Sequence, residues 1–455
     1  MRQFIYLLFL GSLCCMSSCN KFLEEKGNKA STLPGSLEDM QALLDAGNQL
    51  NMGSYPYFIE TCTDDYFLSD EGYNKMDAFD KQVYTFQNPE SYNTIAKLAL
   101  WRNAYKAIAV ANTVLDGLAA VEKLKGLDRN NIKGQALFHR AFMHFILTQV
   151  YCAPFDRTGD NSLPGIPLKL TSDINDKTAR STVKTCYEVI IDDLVNAAAL
   201  LSNEVGIVTR PNKVAAYAAL SRVYLAMEDY ENAKKYAESA LNLYNKLLDL
   251  NTMDLTVAAP FQAMNAETLF FGYSNGSSMF NGSSGSYISE DLLHLYKAHD
   301  LRLTANFKKE TNGYYSFKGQ YTGAGSYIFF VGLTTSEMLL NAAESNVRLG
   351  NASNALKQLN ELLQNRMEKS FFAPVTETDS VALLELILQE RRKELIRRGV
   401  RWSDLRRLNK DERFKREIVR RVTIDGKVQE FRLAPNSNNY IFNTPIEVIN
   451  MTGMQ

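Results

Sequence analysis

The side chains able to do chemistry are few here, and their spacing argues against most reactions. Four histidines fall in two pairs, His139/His144 and His294/His299, each five residues apart. Five residues turn an α-helix by about 500°, so neither pair shares a face as i,i+4 metal ligands do. Hydrogen-bonded structural histidines are the expectation. Asp64-Asp65 is an adjacent carboxylate pair preceding Tyr66-Phe67. Paired carboxylates serve glycoside hydrolysis or calcium, but solvated loop acids are the commoner occurrence. Gly276 to Gly285 holds three glycines without a following Lys-Ser or Lys-Thr, and it does not join a strand to a helix as a phosphate loop would. HExxH does not occur. The sequence nominates no catalytic residue, no metal ligand and no cofactor.

The chemistry that is written is at the start. In MRQFIYLLFLGSLCCMSSC, Arg2 supplies a positive n-region, Phe4 to Leu13 an apolar run, and Ser17-Ser18 put small residues before Cys19. This is the layout of a secretory signal, and Cys19 stands where a bacterial lipobox places its acylated cysteine. Cys14 and Cys15 lack the preceding small residue. The run is far shorter than the ~20 residues needed to span a bilayer. The expectation is a signal peptide over residues 1–18, lipid attachment at Cys19 and a polar tether to about residue 35. Acyl chains contribute about 0.8 kcal/mol per buried methylene, so two or more of them anchor stably.

Composition narrows the rest. A formal net charge of −1 over 455 residues gives no overall pull toward nucleic acid. Cys62, Cys152 and Cys186 remain as scattered thiols at no repeating spacing, which excludes a disulfide framework or a zinc CxxC pair. Aromatics make up 11%, yet only Trp101 and Trp402 are tryptophans.

The elements that must position any site are mostly helical. Helical period starts near Leu37 and is strong over residues 94–118, 132–151 and 185–201. Residues 154–167 break it with prolines and glycines. Lys213 to Tyr244, KVAAYAALSRVYLAMEDYENAKKYAESALNLY, reads as a tetratricopeptide-like helical hairpin. Ala233, Ala237 and Ala240 are the small residues that let its second helix approach the first. A weaker copy covers residues 336–366, with Gly350-Asn351 at its turn. More than 90 residues separate the copies, so no continuous solenoid is expected. Between them, residues 251–330 lose helical period and turn rich in Gly, Ser, Asn and aromatics. Short strands closed by Asn-Gly turns are expected there, as at Tyr314 to Phe317. Long irregular inserts are usually functional.

Residues 391–421 are strongly basic. Glu390, Glu394, Asp404, Asp411, Glu412 and Glu417 interleave at pairing distances, for example Glu394 with Arg398. An exported lipoprotein also meets no genome, so a nucleic-acid partner is rejected. The stretch ERRKELIRRGVRWSDLRR, Glu390 to Arg407, closely resembles the ERRxEL–G–RWxDLxR signature of the SusD/RagB family of Bacteroidetes outer-membrane lipoproteins. CNKFLEE from Cys19 is similar to the family's mature start. Trp101, Tyr105, Ile108, Ala111 and Asn112 resemble its first helix, Arg140-Ala141-Phe142 its FLRA helix, and residues 187–201 its YxxIxxDLxxA element. The tail keeps Pro445-Ile446-Glu447 but lacks the usual PIP and QNPGY-like ending.

The resemblance implies a mainly α fold, with tetratricopeptide-like hairpins and a loop-rich insert at about 251–330 within a single SusD-like domain over residues 36–455. It implies a non-enzymatic, surface-facing outer-membrane lipoprotein that binds a glycan, or in some members a peptide, and passes it to a SusC-like TonB-dependent barrel. A tetratricopeptide-type assembly scaffold is the alternative of a different class. Trp101, Arg401 and Trp402 read as framework. Sugars present apolar C–H faces and hydroxyls, so their sites need aromatic rings beside amides or carboxylates. Asp65, Tyr66, Tyr73, Asn74, Tyr273, Asn275, Tyr287, Tyr314 and Tyr315 are the candidate ligand residues.

Overall fold

A computed structural model describes residues 34–120, 128–176, 178–274, 280, 285–323 and 328–453. Cys19 and the signal and tether segments up to residue 33, like Asn275, lie outside the described residues. Helix makes up 49% of the described residues. The principal elements are α1 (Leu37–Leu44), β1 (Tyr66–Leu68), α2 (Ile95–Ala120), α3 (Arg129–Tyr151), α4 (Val183–Leu200), α5 (Lys213–Ala226), α6 (Tyr230–Leu243), β2 (Ser286–Ile288), β3 (Phe307–Lys309), β4 (Tyr315–Phe317), α7 (Thr335–Arg348), α8 (Ala352–Leu363), α9 (Ser380–Glu394), α10 (Arg401–Leu408), β5 (Ile418–Ile424), β6 (Lys427–Leu433) and α11 (Ile446–Thr452).

Local chemistry sets the helix ends. Asp128, Asn212, Thr334, Asn351 and Asp379 each accept an orphan N–H of the first turn of α3, α5, α7, α8 and α9, a cap contributing about 1 kcal/mol. Gly350, at φ +79, lets α7 turn back into α8, since a left-handed residue with a side chain would be strained.

The helices pack in chain order, α2 on α3, α3 on α4, α4 on α5 and α5 on α6. α3 is the axis of the core, with almost every side chain from Gly134 to Tyr151 buried. Ala233, Ala237 and Ala240 are fully buried on α6, and Ser221 of α5 donates to the Ala233 carbonyl at 2.9 Å. The expectation that the two copies form no continuous solenoid is corrected in one respect. α6 packs directly on α7, so the hairpins stack despite the intervening insert. Asn341 of α7 donates to Ser221 Oγ at 3.0 Å across that junction.

The described strands pair only two at a time. β1 runs antiparallel to β2, with Phe67 opposite Tyr287. β3 and β4 form the expected hairpin, closed at Asn312-Gly313 with Gly313 at φ +88. β5 and β6 form a seven-residue hairpin that the helical reading of the basic segment missed. Its turn, Asp425-Gly426, has both residues at positive φ, the pattern of a type I′ turn.

Candidate functional site

Strand alternation builds the site. Successive residues of β1 point to opposite faces, so Tyr66 is buried while Phe67 faces outward opposite Tyr287. Tyr314, at the end of the β3–β4 turn, joins them. The ring centroids are 5.8 Å apart for Phe67–Tyr287, 5.2 Å for Phe67–Tyr314 and 5.0 Å for Tyr287–Tyr314. Asn312 donates its amide to the Tyr287 hydroxyl at 2.8 Å. Tyr314 is 43% exposed, so this cluster is an accessible aromatic surface with an amide and phenol hydroxyls at its edge.

Below that surface, the Glu390–Arg407 signature holds the strands in place. Arg397, in a left-handed conformation at φ +52, lies over the rings of Phe280, Phe317 and Tyr66. It donates to the Phe280 carbonyl at 3.0 Å and to Ser286 Oγ of β2 at 3.3 Å. Burial pushes its guanidinium down to about 10, so it stays charged at neutral pH, stabilised by the aromatic faces.

A groove of about 490 Å³ lies beyond the short helix Asp70–Asn74, which follows β1 directly. Asp70, Tyr73, Asn74 and Lys81 line one side and the β5–β6 tip, Thr423 to Gly426, the other. The Thr423 N–H donates to Asp70 Oδ1 at 2.8 Å, tying the hairpin tip to the helix.

The candidate ligand residues therefore divide. Tyr287 and Tyr314 come together, and Asn74 lines the groove. Phe67 and Asn312 are additions; the period-2 pattern at Tyr66-Phe67 and the Asn-Gly turn were the signals for them. Tyr66 is moved to the interior: its hydroxyl donates to the Thr61 carbonyl at 2.7 Å. Tyr73 is largely buried, its ring 6.0 Å from Tyr84. Tyr273 bridges Met52 and Phe330 through its backbone and fixes the insert to the scaffold. Tyr315 is half-buried, with the Lys309 ammonium 5.9 Å from its ring.

Asp65 and its neighbour Asp64 are not solvated loop acids. Both are buried against the signature: Asp65 pairs with Arg392 at 2.8 Å, and Asp64 meets Arg392, Arg401 and Arg416 at 3.1, 2.8 and 2.7 Å. Burial works against ionisation of Asp64, but the three guanidiniums outweigh it and hold its carboxyl well below the usual range. The basic residues from Arg391 to Arg407 are also largely interior, whereas Arg413, Lys415 and Arg421 are exposed. Glu394 pairs with Arg366 and Arg302 rather than with Arg398 one turn away, and Arg391 and Arg407 close on Asp404 and Glu344. Trp402 is buried against Tyr440, ring centroids 4.8 Å apart.

The histidine expectation holds in part. His139 and His144 are core residues of α3, but His139 Nε2 and both His144 nitrogens have no hydrogen-bond partner, and burial pushes each down to about 3, so they are neutral. Cys62, Cys152 and Cys186 are buried and free. Among the described residues, no group of three or more His, Cys, Asp or Glu is arranged to hold a metal ion, and no helix is long and apolar enough to cross a membrane.

Comparison with known proteins follows the same lines. A SusD-like family model described as starch-binding associating with outer membrane matches residues 21–225, and the SusD family model matches residues 308–446. SusD-like protein P2 of Formosa agariphila is 26% identical over 175 residues, 38% of this chain and 32% of that protein, so the match spans about a third of that relative's length. A SusD superfamily protein from Bacteroides vulgatus superposes with TM-score 0.73 at 22% identity, covering 92% of this chain and 98% of that one. Another, from Bacteroides thetaiotaomicron, gives 0.70 at 22% identity over 92% and 99%. A SusD-like carbohydrate binding protein from Bacteroides vulgatus gives 0.70 at 19% identity over 92% and 97%.

Proposed function

This chain belongs to the SusD/RagB family, and from that premise we propose that it captures a nutrient oligosaccharide on the Phe67–Tyr287–Tyr314 surface and hands it to a SusC-like TonB-dependent barrel. The single observation that carries the reading is the three-ring cluster, exposed at Tyr314 and partly exposed at Phe67 and Tyr287, with Asn312 at its edge. Aromatic faces take the C–H side of a pyranose, and the amide and phenol groups take its hydroxyls. Asn74, Asp70 and Lys81 in the adjoining groove would meet further sugar units. Binding and release, with no bond made or broken, is the whole of the proposed activity.

The site would work at the cell surface, held to the outer membrane by acyl chains on Cys19, with residues 36–455 as a single domain. Capture at a tethered face raises the local concentration of ligand at the mouth of the barrel. The carbohydrate binding stated for the Bacteroides vulgatus relative supports the ligand class.

The test uses soluble protein lacking residues 1–19 on a glycan array, followed by calorimetry on each retained oligosaccharide. Tyr287→Ala with Tyr314→Ala should weaken binding at least tenfold, about 1.4 kcal/mol, at an unchanged melting temperature. Retained affinity in that folded double variant would place the site elsewhere.

A further inference from the structure

The packing of α3 on α4 brings together two cysteines that the chain separates by 34 positions. Cys152 caps the C-terminus of α3, and Cys186 lies at the start of α4. Tyr187, the next residue on α4, sets their register. Its hydroxyl accepts from Gln149 Nε2 at 2.8 Å and its ring lies 5.0 Å from Phe155, so it touches the chain on both sides of Cys152. The two thiols are fully buried and within hydrogen-bonding reach of each other.

The lining of Cys186 is rich in hydrogen-bond donors. The Ile166 N–H donates to its sulfur at 3.4 Å, and Ser181 Oγ lies 3.1 Å away. Thr148, one turn before Cys152 on α3, is a further hydroxyl neighbour. Such a lining stabilises the thiolate, the form that attacks a disulfide. Hydrogen bonding with Cys152 first, then with Ser181 and the Ile166 N–H, brings the Cys186 thiol down to about 6 despite its burial, while the Cys152 thiol rises. Cys62 is the contrast. Its thiol donates to the Val83 carbonyl at 3.3 Å, and burial pushes it up to about 12.

We propose that Cys152 and Cys186 are a covalent modification site, closing to an intramolecular disulfide when the protein meets a low-molecular-weight disulfide as oxidant. The Cys186 thiolate attacks one sulfur of the oxidant, whose S–S bond breaks and whose leaving thiolate takes up the proton that Cys186 gave up. Cys152 then attacks Cys186 Sγ in the mixed disulfide and releases the second oxidant thiol, which carries the Cys152 proton. Two protein thiols are oxidised, one oxidant disulfide is reduced, and two protons pass to the thiols released.

Access comes through the ribbon that covers the pair. Pro164–Pro167 runs antiparallel to Arg180–Thr182, with a break in register between its two paired residues. Both of those residues are prolines, which bring no N–H to the ladder. A Cβ on Gly165 would stand 2.6 Å from Cys186 Sγ, so the ribbon lies directly on this thiol. Residues 153–163, which lead into it, form neither helix nor strand, and local opening of such a segment costs less than global unfolding. Formation of the bond in the cell rests on the surface location proposed above, where thiols are not kept reduced; the pairing itself does not.

The test uses the full chain with its own leader, expressed in a bacterium, extracted in mild detergent and incubated with glutathione disulfide. Alkylation by N-ethylmaleimide under denaturing conditions, followed by peptide mass spectrometry, reads each cysteine. Cys152 and Cys186 should be recovered as one linked peptide pair, two hydrogens lighter than its parts, with Cys62 alkylated. Reductant should return both to alkylation and lower the melting temperature by about 4 °C, as the closed loop is released in the unfolded chain. Cys152→Ser should stop at a glutathione adduct on Cys186. Alkylation of both thiols after the incubation, linkage of either to Cys62, or a persistent glutathione adduct on the parent chain would each overturn the proposal. Fractionation of the same culture reads location separately: a chain retained inside the cell that glutathione disulfide still links would sink the surface reading and support the pairing.

Discussion

Arg401 grips Asp64 through two parallel bonds, Nε to Oδ1 at 2.8 Å and Nη2 to Oδ2 at 2.9 Å, joining residues 337 positions apart in the chain. The fork-shaped guanidinium and the carboxylate match geometrically. The consequence is functional as well as structural. Asp64 lies two residues before β1, whose Phe67 is part of the aromatic surface, so the C-terminal signature sets the position of an N-terminal site strand.

Asp64→Ala should be among the most damaging single changes. It leaves the Arg392, Arg401 and Arg416 guanidiniums without their shared counterion, two of them deep in the interior. Breaking a buried pair by removing one partner costs about 3–5 kcal/mol. Urea unfolding should register that loss, and any ligand bound at Phe67–Tyr287–Tyr314 should bind more weakly as β1 shifts.

Glu60 should make stability fall as pH rises. Burial first, and then the negative charge of Asp65, push its carboxyl from 4.5 up to about 8. Below pH 4.5 folded and unfolded chains both hold the proton. Between 4.5 and 8 the unfolded chain has released it and the folded chain has not, so this group destabilises the fold increasingly, by an amount on the order of a few kcal/mol above pH 8. Glu60→Gln keeps an oxygen to accept the Gly399 N–H and removes the titration. Unfolding free energies of parent and variant at pH 5 and pH 8.5 should diverge in favour of the variant at the higher pH. Equal slopes would mean that Glu60 titrates normally.

At acid pH the opposite sign applies. Burial opposes ionisation of Glu344 and Asp300, but Arg407 and Arg348 for the first, and Arg302 and Lys393 for the second, bring each down to about 2. Their contribution is complete above the unfolded values near 4 and is lost as pH falls toward 2. Circular dichroism should show cooperative unfolding in that interval. Arg407→Met, which removes the counterion of Glu344, should move the acid transition to higher pH.

Ala237→Tyr should overpack the junction of α5 and α6. Ala237 is fully buried on α6, and adding a ring to a filled site costs roughly 1–3 kcal/mol. A lowered melting temperature is the expected result, with Ser239→Tyr on the exposed side as the neutral control.

Cys19→Ala should block lipid attachment and release the protein from the outer-membrane fraction. Fractionation with metabolic labelling by a fatty-acid analogue reads both effects, and undiminished membrane retention of the variant would remove the anchor from the proposed function.

The sequence by itself determined the helical architecture, because periodic apolar residues, cap residues and small alanines act within a few positions of one another. Lys213 to Tyr244 and the Asn312-Gly313 hairpin were legible for that reason. The family signature was equally legible as a pattern of letters. Its meaning was not. Only the tertiary structure decided that its arginines reach Asp64, Asp65, Glu344 and Asp404, because ion pairs of low sequence proximity leave no periodic trace and local i,i+4 partners such as Glu394 and Arg398 look just as suitable. The same limit applied to the site. Composition marked the tyrosines, but strand alternation sent Tyr66 inward and Phe67 outward, and the meeting of Phe67 with Tyr287 and Tyr314 required the β1–β2 pairing of residues 220 positions apart together with the local β3–β4 hairpin. A one-residue register decides which ring faces water, and that register is fixed by the core on the other side of the strand.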